Sequence, residues 1–121
     1  MSSSLGRVLV VEDELRVGAM LREVLVELGY IVKVAVRGAE ALQLVPDFEP
    51  DVVLLDLIMP GMSGVEVLDH LRRDRPTIRV VIMTANEDIA GLPDEVFGYL
   101  RKPFRIDMLA GVVAAAVAPP S

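Results

Sequence analysis

Asp56 ends a run of four apolar residues, Val52-Val53-Leu54-Leu55, and is followed by Leu57-Ile58-Met59-Pro60-Gly61. A carboxylate at the end of a fully apolar run sits where a buried strand leaves its sheet, and in open parallel sheets that edge is where ligands bind. Three other strand-like runs lead into residues suited to charge chemistry. Val8-Leu9-Val10-Val11 ends in Glu12-Asp13, Val80-Val81-Ile82-Met83 ends in Thr84, and Tyr99-Leu100 leads into Arg101-Lys102-Pro103. An acidic pair, a lone Asp, a hydroxyl and a lysine thus gather on one rim. Two carboxylates about 4 Å apart repel by roughly 4 kcal/mol at an effective dielectric of about 20. Either one group stays protonated or a hard divalent cation sits among them. Acidic oxygens without a neighbouring His or Cys suit Mg²⁺ better than zinc. A carboxylate, a metal, an ammonium and a hydroxyl together suit phosphoryl transfer onto the carboxylate.

The elements that position these groups alternate along the chain. Val8–Val11, Val52–Leu55 and Val80–Met83 are continuous apolar runs, the pattern of strands covered on both faces. Ile31–Ala35 admits Lys33 in mid-run, which suits an edge strand, and Tyr99–Arg101 is a short last strand. Between them, Glu14–Leu28 places Val17, Met20, Leu21, Val24, Leu25 and Leu28 on one helical face, with Gly29 where a C-terminal cap belongs. Gly38–Val45 reads as a short helix stopped by Pro46. Ser63 can cap a third helix with Val65, Leu68 and Leu71 inward. Ile106–Val117 closes the chain as a helix with Leu109, Val112, Val113, Ala116 and Val117 inward. Strict alternation predicts an α/β fold, a doubly wound five-stranded parallel sheet in the flavodoxin-like order 2-1-3-4-5.

Composition bounds the class. The chain has 121 residues, the size of one domain. Its net charge is −6 with no Lys/Arg cluster, which argues against nucleic acid as a direct ligand. It has no cysteine, so no disulfide framework and no thiolate metal site. The start lacks the apolar core of a signal peptide, and the longest apolar stretch, Met108 to Ala118, is too short to span a bilayer. A cytosolic (cytoplasmic) domain without membrane association is expected. Residues 1–6 read as an N-terminal tail, 7–117 as the domain, and 118–121 as a C-terminal tail or the start of a linker.

Four stretches in order carry a resemblance. They are Val8-Leu9-Val10-Val11-Glu12-Asp13-Glu14, Leu54-Leu55-Asp56-Leu57-Ile58-Met59-Pro60-Gly61-Met62-Ser63-Gly64, Met83-Thr84-Ala85 and Tyr99-Leu100-Arg101-Lys102-Pro103-Phe104. From Arg7 to Val117 the chain is similar to a receiver domain of a two-component response regulator. The resemblance implies that Asp56 accepts a phosphoryl group from a histidine kinase or a histidine phosphotransfer protein. It implies that Glu12 and Asp13 hold Mg²⁺, directly or through water, with Asp56 and the backbone carbonyl of Ile58. Thr84 would bond the phosphoryl group and shift inward, Tyr99 would turn inward with it, and Lys102 would pair with the phosphoryl group. The Lys102-Pro103 peptide would be cis. Such a domain is a switch rather than an enzyme acting on a separate substrate. It signals to an output domain or protein partner, and a homodimer is an alternative form.

One departure stands out. Only Ala85 to Arg101 separate Thr84 from Lys102, about one helical turn less than the family pattern, and Gly91 and Pro93 break helices. A fourth helix that is shortened or irregular is expected there, which bears on the dimer or output contact near it. Three rival readings make different demands on these residues. An Asp-nucleophile phosphatase of the haloacid-dehalogenase type needs a second Asp two residues after the first, where Ile58 stands. A flavin or nucleotide carrier needs a first loop rich in Gly, Ser and Thr, where Glu12-Asp13-Glu14 stands. A receiver used only as an unphosphorylated interaction module is the third. Tyr99 by itself is equally an edge-strand aromatic, and His70 reads as a plain surface residue.

Overall fold

The computed structural model of the protein describes residues 5–58, 61–85 and 96–118. Five strands, β1 (Arg7–Val11), β2 (Ile31–Ala35), β3 (Val52–Asp56), β4 (Arg79–Thr84) and β5 (Gly98–Arg101), form one sheet in the order β2-β1-β3-β4-β5. Every pairing is parallel. Four helices among the described residues, α1 (Leu15–Glu27), α2 (Gly38–Phe48), α3 (Gly64–Asp74) and α4 (Ile106–Val117), cover its two faces. The expected flavodoxin-like order is therefore observed, with the Lys33-bearing strand at an edge.

The strand period of two divides the core into two layers. Val8, Val10, Val52, Leu54, Val81, Met83 and Leu100 face α1 and α4, where Leu21, Leu25, Leu109, Val113 and Ala116 meet them. Leu9, Val11, Val53, Leu55, Val80 and Ile82 face α2 and α3, where Ala41, Val45, Phe48, Val67, Leu68 and Leu71 meet them. Both faces of β1, β3 and β4 are thereby apolar, which is why their sequences run without alternation.

Helix ends follow local chemistry. α1 closes in a Schellman motif: the Tyr30 N–H donates to the Leu25 carbonyl at 3.1 Å and the Gly29 N–H to that of Val26 at 3.0 Å. Gly29 holds φ 109°, a conformation costly for any residue with a β-carbon. α3 opens with a capping box, in which Ser63 and Glu66 satisfy each other's backbone N–H groups.

Three local readings need correction, and a fourth falls outside the described residues. α2 does not stop at Pro46 but runs to Phe48. Pro46 forgoes one hydrogen bond to the Leu42 carbonyl, but Val45 and Phe48 bury the same face and carry the helix on. The inner stripe of α3 is Gly64, Val67, Leu68 and Leu71, whereas Val65 is 43% exposed. A stripe spaced by three alone drifts off the face, and the i, i+3, i+4, i+7 set is the buried one. Met20 and Leu28 lie at the exposed margin of α1 rather than inside. The expected irregular helix between Thr84 and Lys102 falls on residues 86–95, outside the described residues. Among the described residues no helix is long and apolar enough to cross a membrane.

Candidate functional site at the C-terminal edge of the sheet

The topology delivers the chemistry-bearing residues to one edge. Asp56 and Thr84 are the last residues of β3 and β4, Glu12 follows β1 and Lys102 follows β5. Pairing of Asp56 with Met83 and of Thr84 with Arg101 sets the strand ends level with one another. The Lys102 N–H donates to the Thr84 carbonyl at 2.7 Å, which fixes Lys102 at the end of the ladder. The Lys102-Pro103 peptide is cis, as expected.

Three carboxylates converge. One oxygen from each of Glu12, Asp13 and Asp56 lies within 4.8 Å of the others. Glu12 is fully buried and Asp56 is nearly so. Lys102 Nζ stands 2.5 Å from Glu12 Oε1 and 3.4 Å from Asp56 Oδ2. The Ile58 N–H donates to Asp56 Oδ1 at 3.0 Å, and the Glu14 N–H to Glu12 Oε2 at 3.2 Å. The Asp56 side chain is thus held from both sides, by its own loop and by Lys102. Three carboxylates of hard oxygen donors, with Lys102 as their cation among the described residues, fit a small divalent cation such as Mg²⁺.

The local electrostatics follow from burial. Burial pushes the Glu12 carboxyl up to about 7; the Lys102 bond opposes this, while the neighbouring Asp56 adds to it. Burial alone would lower the Lys102 ammonium, but its bond to Glu12 and the charge of Asp56 outweigh burial and raise it. Of the groups in the site, Glu12 is thereby shifted toward holding a proton and Lys102 toward keeping its positive charge.

Thr84 and Tyr99 form a second group. Thr84 is buried and continues the Val80–Ile82 row, which faces α2 and α3. Tyr99 pairs with Ile82 and packs half-buried against that same layer. Thr84, Tyr99 and Lys102 all line one surface cavity of about 630 Å³, together with Arg101, Phe104 and Met108. β4, which ends at Thr84, lies between β3, which ends at Asp56, and β5, which carries Tyr99. Ile58 is 75% exposed.

Sequence reasoning placed these residues on the rim but missed the role of Gly64. A β-carbon there would stand 2.5 Å from both the Asp56 carbonyl oxygen and Leu57 Cα. Only glycine lets the start of α3 close on the backbone of Asp56. The signal was present in the Ser63-Gly64-Val65-Glu66 spacing, which marks where the loop turns into a helix.

The fold and the site define a signalling receiver, and the comparisons agree. The model of the response regulator receiver domain matches residues 8–114, and the chain belongs to that family. Members of this family are the switch domains of two-component systems. The response regulator MprA of Mycobacterium sp. strain KMS is 39% identical over 107 residues, covering 85% of this chain and 46% of that protein. The uncharacterized transcriptional regulatory protein YkoG of Bacillus subtilis strain 168 is 36% identical over 119 residues, covering 93% of this chain and 51% of that one. The chain spans about half the length of these relatives. A putative response regulator from Chloroflexus aurantiacus J-10-fl superposes with TM-score 0.86 at 32% identity, over 94% of this chain and 98% of the other. The response regulator TrrA of Thermotoga maritima, solved in complex with Mg(2+)-BeF, superposes with TM-score 0.82 at 33% identity, over 91% and 97%.

Proposed function

We propose that residues 7–117 form a Mg²⁺-dependent switch that accepts a phosphoryl group on Asp56 from a histidine kinase or a histidine phosphotransfer protein. The observation that carries this reading is Asp56 at the end of β3, with Lys102 Nζ 3.4 Å away and two further carboxylates within 4.8 Å. Glu12, Asp13, Asp56 and the Ile58 backbone carbonyl would hold the metal, which when bound neutralises charge on the transferred phosphoryl oxygens. One Asp56 carboxylate oxygen forms the new bond to phosphorus as the phosphorus–nitrogen bond of the donor histidine breaks. Its loop N–H keeps the carboxylate aimed. Lys102 leaves Glu12 for the incoming phosphoryl oxygens, and the Thr84 hydroxyl donates to another of them.

Thr84 moving inward opens space on the sheet face that Tyr99 shares, so Tyr99 follows and the surface around the cavity changes. That surface signals to an output domain or partner protein, with a homodimer as one form of the output. The relatives named transcriptional regulators favour gene expression as the process controlled. The net charge of −6 argues against direct binding of nucleic acid by the receiver itself. The closeness to a chain solved with Mg(2+)-BeF supports the metal assignment.

The test is incubation of the protein with Mg²⁺ and acetyl phosphate, with intact mass recorded beside Asp56→Asn. Gain of one phosphoryl group, lost on chelation and absent in the variant, is expected. A folded, Mg²⁺-binding protein that gains none would favour the unphosphorylated interaction module.

A further inference from the structure

The corner between β2 and α2, Ala35 to Glu40, contributes no group to the chemistry, yet it touches both halves of the acidic site. On one side the Glu12 N–H donates to the Ala35 carbonyl at 3.0 Å. On the other side Gly38, the buried first residue of α2, lies against the loop that follows Asp56. A β-carbon on Gly38 would stand 2.7 Å from Val67 Cγ2, 3.1 Å from the Met62 carbonyl oxygen and 3.2 Å from Met62 Cβ. The first distance is closer than carbon atoms approach, and the other two leave no slack. Val67 is fully buried and cannot swing away. The contact passes onward, because Gly64 seats the start of α3 directly on Asp56 and Leu57. The corner is itself braced by Glu40, whose Oε1 accepts the Val36 N–H at 2.8 Å.

We propose that this corner is a positioning element for the metal and phosphoacceptor site, with Gly38 setting the spacing between Glu12 and the loop after Asp56. The proposal rests on the Mg²⁺-dependent switch reading and deepens it. Adding one methyl at Gly38 forces α2 and the Met62 segment apart. That moves the Asp56 loop relative to Glu12, which stays tied to Ala35. Sites that depend on convergent groups lose steeply on such shifts, about a hundredfold for a misplacement of about 1 Å.

The test is Gly38→Ala in the whole chain, with Mg²⁺ affinity measured calorimetrically and amide shifts recorded without metal. A folded variant with about tenfold weaker Mg²⁺ binding, and with metal-free shifts at Glu12, Leu57 and Gly64, is expected. Gly111→Ala is the control, since a β-carbon there meets nothing within 4 Å, and unchanged Mg²⁺ affinity is expected. If Gly38→Ala fails to fold, the pair Gly38→Ala with Val67→Ala removes the closest clash while keeping the push on Met62, and the same weakening is expected. Lower stability with unchanged Mg²⁺ affinity in the folded protein would mean a packing role only and would overturn the proposal. A wild type that binds no Mg²⁺ would sink the switch reading instead, and the metal-free shifts at Glu12 and Leu57 would then decide the role of Gly38.

Discussion

Lys102 has two partners and satisfies them unequally, at 2.5 Å to Glu12 and 3.4 Å to Asp56. Without metal it serves as the resident cation of an acidic cluster, and it must give up Glu12 to reach a phosphoryl group. Two consequences follow for Lys102→Met. Phosphoryl uptake from acetyl phosphate is expected to slow by at least about tenfold, since a charge-assisted contact to the transferred group is lost. Mg²⁺ affinity, read by calorimetry, is expected to rise by several-fold, because a competing positive charge is gone. Weaker Mg²⁺ binding in that variant would show that Lys102 orders the cluster rather than competing for it. The types and order of these residues were legible in the sequence, because each ends an apolar run. Which carboxylate Lys102 prefers was not legible, because that depends on side-chain distances across 90 residues of chain.

At the scale of elements, two helices carry opposite lessons. α3 starts at a capping box that the sequence announces, and its start also seats the backbone of Asp56. Ser63→Ala should cost about 1 kcal/mol in urea unfolding at unchanged m-value. No loss of stability would mean that the close contact of Gly64 alone holds the helix start. α2 carries Pro46 inside its last turns, where it is exposed. Pro46→Ala restores an N–H opposite the Leu42 carbonyl and should raise stability by about 1 kcal/mol, after allowing for a freer unfolded chain. Local rules marked Pro46 as a stop, but burial of Val45 and Phe48 against the sheet outweighed one missing hydrogen bond. The buried phase of α3 departs from the apolar spacing for a related reason. Val65 and Val67 are equally apolar, and only docking against α2 and the sheet selects Val67.

For the whole molecule, the sheet order was legible because charged Lys33 and the short β5 identify the edges and three apolar runs identify the centre. The burial of Glu12, with Asp56 beside it, has a cost that shows in stability. Glu12 titrates at about 7 in the fold against an ordinary 4.5, so the folded protein binds its proton more tightly than the unfolded chain. Without metal, stability from Glu12 is fully present below about pH 4.5 and is lost as pH rises through 7, by at most about 3 kcal/mol. The difference between wild type and Glu12→Gln in urea unfolding should therefore shrink or reverse over that window. A difference independent of pH would mean that Glu12 is ionised throughout. Mg²⁺ prefers the carboxylate, so its binding should strengthen from pH 6 to 8 and release protons. The central claim is that a phosphoryl group lands on Asp56, and the most direct measurement locates it. Protein treated with acetyl phosphate and Mg²⁺ is reduced with borohydride, which converts an aspartyl phosphate to homoserine, and its peptides are sequenced by mass spectrometry. Homoserine at position 56 alone, and none after chelation, is the predicted result. Homoserine at Asp13 or elsewhere, or none in protein that demonstrably binds Mg²⁺, would contradict it.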